Sequence, residues 1–193
     1  MIRLRGVTKR FGDQVVLDRL DLDIADGTVT AVTGPNGSGK TTLARLLLRL
    51  TVPDEGTIDG LDGRHGAMTF QDDRLCDQLT AVRNVRLVLD HSVDAATVAA
   101  ELRRVGLEGE SLTKPARDLS GGQRRRVAIV RAVLPPADLV VLDEPFKGLD
   151  TDAKVLLMDY VREGCAGRTV LLITHDRAEA EWFDAPVIEL GAE

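Results

Sequence analysis

The chain has 193 residues, 44 % hydrophobic and 29 % charged, with a formal net charge of −6. That is one domain's worth of chain with a substantial core, and the acidic balance argues against a nucleic-acid binder, which usually carries a basic surplus. Only 3 % of residues are aromatic, too few for base-stacking platforms, and no run approaches the ~18 consecutive apolar residues of a membrane span.

Met1-Ile2-Arg3-Leu4-Arg5 lacks the apolar core and cleavage site of a secretory signal. Cys76 and Cys165 are too few for a disulfide framework, which fits a reducing cytoplasm. Ile2 to Lys9 predicts a strand, Gly12-Asp13 a turn, and Leu17, Leu20, Leu22 and Ile24 a second, antiparallel strand. Phe11 stands at that first turn, where an aromatic either stacks on a base or half-buries against its own turn. Thr28 to Thr33 has the apolar, β-branched character of a central strand.

That strand feeds Gly34-Pro35-Asn36-Gly37-Ser38-Gly39-Lys40-Thr41-Thr42. Glycines at 34, 37 and 39 let the backbone wrap closely and turn N–H groups toward one point. Lys40 and Thr41 then open a helix whose N-terminal dipole faces the same point. Such a nest suits a polyphosphate, with a cation on Lys40 and a hydroxyl on Thr41 for magnesium. The helix is expected from Lys40 to Leu50, with Leu43, Leu46, Leu47 and Leu50 facing the core.

Short strands are predicted at Thr57-Ile58 and at Ala67 to Phe70, followed by Gln71 and Asp72-Asp73-Arg74. Thr80 and Asp94 are expected N-caps for helices Ala81 to Leu89 and Ala95 to Val105. Residues 72 to about 118 thus read as a helical insert in an alternating α/β chain. Leu119-Ser120-Gly121-Gly122-Gln123 is a second glycine-containing loop, with Ser120 placed to cap a helix to Val133. Arg124, Arg125, Arg126 and Arg131 on that helix are expected to form a solvated or intersubunit charged face. Asp138 to Leu142 is a buried apolar strand ending in Asp143-Glu144, at the strand end where α/β sheets place their chemistry. Gly148-Leu149-Asp150 leads into a helix to about Glu163, Thr169 to Thr174 is another apolar strand ending in His175, a short helix runs from Asp176 to Phe183, and Pro186 to Leu190 is a last strand.

Taken in order, the loop at 34–42, Gln71, Leu119–Gln123, Leu139–Glu144, Gly148–Asp150 and His175 resemble the nucleotide-binding subunit of ATP-binding-cassette (ABC) transporters over essentially the whole chain. The resemblance implies an α/β phosphate-loop ATPase fold, with a mixed sheet core, antiparallel N-terminal strands and a helical subdomain. It implies one domain over 1–193, with a core lobe at about 1–71 and 134–193 and the subdomain at about 72–133. The substrate would be ATP and the metal Mg²⁺, with Thr41, Gln71 and Asp143 at the metal. Glu144 would be the general base or the orienter of the attacking water. His175 would contact the γ-phosphate, and Phe11, where the family more often has tyrosine, would stack on adenine. Gly34 through Thr42 would hold the nucleotide together with Ser120, Gly121, Gly122 and Gln123 of the opposite subunit. That is a head-to-tail dimer of two such subunits, read as two copies of this chain, with Asp150 communicating across the interface.

The mechanical output would pass to a separate transmembrane permease, docked on a surface that begins near Gln71 and runs over the helical insert. The expected location is cytoplasmic, peripheral on the inner face of the membrane. Phe70–Leu75 and Asp143–Asp150 further resemble importer subunits of the nitrate, sulfonate and taurine group, whose members also use an extracytoplasmic solute-binding protein. The chain departs from that group at Cys76-Asp77-Gln78, where members continue with an aromatic and apolar stretch. It stops soon after Leu190, so no regulatory domain is expected. The alternatives are a soluble ABC-type ATPase acting on DNA or ribosomes and a binding module without turnover.

Overall fold

In the computed structural model, residues 1–191 are described. The elements in order are β1 (Ile2–Phe11), β2 (Gln14–Ile24), β3 (Val29–Thr33), α1 (Lys40–Leu47), β4 (Glu55–Asp59) and β5 (Gly66–Thr69). The helices α2 (Ala81–Arg86), α3 (Ala95–Arg104) and α4 (Gly121–Val133) follow. The chain then runs through β6 (Leu139–Asp143), α5 (Thr151–Gly164), β7 (Thr169–Ile173), α6 (Arg177–Trp182) and β8 (Val187–Glu189). Two compact units divide it. One comprises Met1–Ala67, Ala137–Asp143 and the described residues from Gly167 onward, the other Met68–Pro136 and Glu144–Ala166.

In the first unit, alternation between apolar and charged residues sets the antiparallel pair. Ile2 lies opposite Ile24 and Leu4 opposite Leu22, all four buried, while the intervening charged side chains point outward. β4 joins the free edge of β1, with Leu4 opposite Ile58, giving the order β2-β1-β4. The second sheet has the order β5-β6-β7-β3-β8. β6 pairs with β7, and β3 with both β7 and β8, all in parallel. β6 and β7 are buried along their whole length, as continuous apolar runs in a covered parallel sheet must be. This is the expected α/β architecture with an antiparallel N-terminal sheet.

Register brings the strand ends together. Val32 and Asp143 both pair with Ile173, so the loop after β3, the end of β6 and the turn after β7 share the carboxyl edge of the parallel sheet. That edge is where open α/β sheets bind their ligands.

In the second unit, helices start where short polar side chains cap them. Thr80 Oγ1 accepts from Arg83 N at 3.2 Å, and Asp94 Oδ1 from Thr97 N at 2.7 Å. Their apolar faces bury Ala81, Val85, Val98 and Leu102. Single 3₁₀ turns at Gly109–Leu112 and Ala116–Asp118 lead to α4.

Two expectations are corrected. α1 ends at Leu47, and Arg49 enters the left-handed region at φ 55°, so Leu50 turns outward and is 61 % exposed instead of facing the core. The arginines of α4 do not form a solvated face. Arg124 bonds Asp77 Oδ1 and the Ala116 carbonyl at 3.0 and 2.8 Å, and Arg126 bonds the Gly106 carbonyl at 3.0 Å. Arg125 and Arg131 likewise bond backbone carbonyls. Carbonyls of the surrounding loops draw these guanidiniums inward, because a planar fork of donors can satisfy several acceptors at once.

Candidate functional site

The first unit holds the phosphate loop. Gly34 has φ 142°, and a Cβ there would lie 2.3 Å from the Leu190 carbonyl and 2.8 Å from Ser38 Oγ. Gly39 has φ 94°, and a Cβ there would meet Leu17 Cδ2 at 2.5 Å. The loop is therefore wound too tightly against β2 and the segment after β8 for any side chain at either position. Lys40 begins α1, is 8 % exposed, and donates from Nζ to the Gly34 and Pro35 carbonyls at 2.7 and 2.8 Å. Its ammonium is thus folded back onto the loop's own backbone. Ser38 Oγ is buried with no hydrogen-bond partner, an unsatisfied hydroxyl in a polar cradle.

Thr41 Oγ1 donates to Asp143 Oδ2 at 3.2 Å, across 102 positions of sequence. Asp143 is 3 % exposed at the end of β6. A hydroxyl and a buried carboxylate side by side are hard oxygen donors. One carboxylate with a hydroxyl is a set suited to a cation that takes its remaining ligands from water and phosphate oxygens. Among the described residues no cluster of three or more His, Cys, Asp or Glu could hold a metal.

His175 is exposed on the turn after β7. The turn is fixed by its neighbours: Thr174 Oγ1 donates to the buried Glu179 at 2.5 Å and accepts from Asp176 N at 3.0 Å, and Asp176 caps α6 through Ala178 N. In the sequence Glu179 is only an acid four residues after the histidine; its burial is set by the fold. Phe11 closes β1, 48 % exposed, with Lys9 Nζ 5.6 Å from its ring centroid and bonded to Asp54 Oδ1 at 3.0 Å.

The second unit holds Gln71, Ser120–Gln123 and Glu144. Glu144 follows Asp143 directly and has φ 48°, a left-handed conformation that costs a residue with a Cβ about 1–3 kcal/mol. Lys147 Nζ lies 3.1 Å from Glu144 Oε2. Ser120 and Gln123 form a reciprocal capping box: Ser120 Oγ accepts from Gln123 N at 3.3 Å, and Gln123 Oε1 from Ser120 N at 3.0 Å. The Gly121-Gly122 backbone is thereby held at the helix N-terminus, where N–H groups and dipole favour an anion. Asp150 caps α5, with Oδ1 accepting from Ala153 N at 2.9 Å.

The family model described as ABC transporter matches residues 17–147. The chain belongs to the ABC transporter family. It is an ATP-binding, ATP-hydrolysing cassette of that family. An aliphatic sulfonates import ATP-binding protein, SsuB 3 of Paraburkholderia xenovorans (strain LB400), is 41 % identical over 181 residues, covering 93 % of this chain and 72 % of the relative. The Nod factor export ATP-binding protein I of Cupriavidus metallidurans (strain ATCC 43123 / DSM 2839 / NBRC 102507 / CH34) is 36 % identical over 197 residues, covering 94 % and 65 %. Among solved structures, a dimeric post-hydrolysis state of the ATP-binding cassette MJ0796 bound to ADP and Pi superposes with a TM-score of 0.86 at 27 % identity, covering 98 % of this chain and 94 % of that one. No helix among the described residues is long and apolar enough to cross a membrane.

Proposed function

We propose that this chain is the subunit that energises solute import through a separate transmembrane permease, with the roles of its residues as follows. The observation that carries the reading is the Thr41–Asp143 contact beside the Lys40 loop. It sets a hydroxyl and a carboxylate next to a phosphate nest on one sheet edge. Gly34 through Thr42 cradle the phosphates, Lys40 supplies the cation, and Phe11 stacks on the adenine. Thr41 and Asp143, with Gln71, would hold Mg²⁺, which would supply charge neutralisation at the phosphate oxygens. Glu144 accepts a hydrogen bond from the attacking water and orients it, and His175 donates to the terminal phosphate.

Ser120, Gly121, Gly122 and Gln123 complete the site of a second copy of the chain, so that two nucleotides are shared in a head-to-tail dimer, with Asp150 at the shared interface. The functional unit is one domain over 1–193, with a core lobe at about 1–71 and 134–193 and a helical subdomain at about 72–133. It works on the inner face of the membrane. The sulfonate-importer likeness of Phe70–Leu75 and Asp143–Asp150 supports import, with an extracytoplasmic solute-binding protein delivering cargo. The permease docks on the helical insert. A cleft of about 270 Å³ there is lined by Leu79, Arg83, Arg86, Leu87, Asp90 and His91. Leu87 and Val88 beside it are 58 % and 49 % exposed.

Two measurements test this reading. Charge-assisted hydrogen bonds contribute roughly 1.5–3 kcal/mol each, so Lys40→Ala should weaken ATP binding by about tenfold or more; unchanged affinity would remove the phosphate loop from the account. A permease encoded beside this gene should copurify with the parent and much less with Leu87→Asp, and equal recovery would place the dock elsewhere.

A further inference from the structure

The segment after β5 has little regular structure of its own, yet its backbone is held at four points by one helix. From α4, Arg125 Nη1 and Nη2 donate to the carbonyls of Phe70 and Gln71 at 3.2 and 2.9 Å. Six residues further along, Arg131 Nη2 and Nη1 donate to the carbonyls of Asp73 and Arg74 at 2.6 and 2.9 Å. Arg125 Nε also lies 3.2 Å from Asp73 Oδ1, and both side chains of that pair are largely buried, at 12 % and 14 % exposure. The same helix carries Ser120 at its N-cap. Two forks thus grip the 70–74 backbone, each guanidinium donating charge-assisted hydrogen bonds to two carbonyls.

We propose that Arg125 and Arg131 are positioning residues that make the Gln71 segment a rigid extension of α4, so that ATP turnover depends on them through Gln71. The inference rests on the role given above to Gln71, and it adds a route by which a displacement of the Ser120 helix moves Gln71 with it. A helix that must carry a neighbouring loop needs attachment to the loop's backbone rather than to its side chains, because side-chain rotamers would absorb the motion. Arginine suits this better than lysine, because its Nη donors lie in one rigid plane, whereas an ammonium is a point charge that rotates on a flexible stem.

The test uses the purified full-length chain. In Arg125→Ala, amide hydrogen exchange at 70–76 should accelerate at least tenfold, with the 127–133 amides of α4 unchanged. Unchanged exchange at 70–76 overturns the clamp. The turnover number for ATP should fall about tenfold with nucleotide affinity within twofold of the parent, and Arg125→Lys, which retains the charge, should recover only part of it. Full recovery by lysine would overturn the fork geometry. Should Arg125→Ala not fold, Arg125→Lys gives the same exchange readout at smaller amplitude. Because the effect runs through Gln71, Gln71→Ala combined with Arg125→Ala should lose no more turnover than Gln71→Ala alone; multiplying losses would overturn the route. A Gln71→Ala protein with parental turnover would overturn the role of Gln71 itself, and the exchange result would still decide the clamp.

Discussion

Asp73 shows how far a single residue's charge state depends on surroundings. Burial holds its carboxyl above the usual carboxylate range, and the attraction of Arg125, Arg124 and Arg131 does not fully offset that desolvation. The folded chain therefore keeps this proton to a higher pH than the unfolded chain does. Ionisation then costs stability as pH rises from about 4 through the raised value, and the cost is present in full above it. Asp73→Asn removes that titration. Its stability relative to the parent, measured by urea denaturation, should improve as pH is raised from about 4 to 7; a difference that is flat or runs the other way contradicts the burial argument. The cluster was not legible in the sequence. Four arginines on an acidic chain read as a solvated face, and nothing local states which carbonyls the chain will bring against them.

The elements divide by how local their causes are. Ser120, Thr80, Asp94 and Asp150 each announce a helix start by a short polar side chain, and each caps one, because a cap is made within four residues. The prediction at this scale follows: Ser120→Ala should lower stability by about 1 kcal/mol through loss of the cap. A urea midpoint equal to that of the parent would mean that the capping box contributes nothing. Strand ends at Thr33 and Asp143 were equally readable, from apolar runs that stop at polar residues. Two things were not. Leu50 kept the helical spacing, but Arg49 had already left the helix. β4 and β5 look alike as short strands, yet one completes the antiparallel sheet and the other the parallel one, a choice made by pairing partners far away in sequence.

For the whole molecule, the order of motifs identified the family, and the fold supplies what order cannot: the pairing of Thr41 with Asp143 and the shared edge of three strands. The proposed machine is a nucleotide-driven switch, in which ATP binds the closed pair better than the open one and hydrolysis releases it. In that proposed switch Glu144, at φ 48° immediately after Asp143, is the residue given the release step. Glu144→Gln keeps the shape and removes the base. The decisive measurement is sedimentation of that variant with ATP and magnesium, with ATP hydrolysis followed in the same samples. The account predicts an ATP-dependent dimer more persistent than the parent's and turnover reduced by about a hundredfold or more. Hydrolysis at the parental rate, with no added dimer, would contradict it.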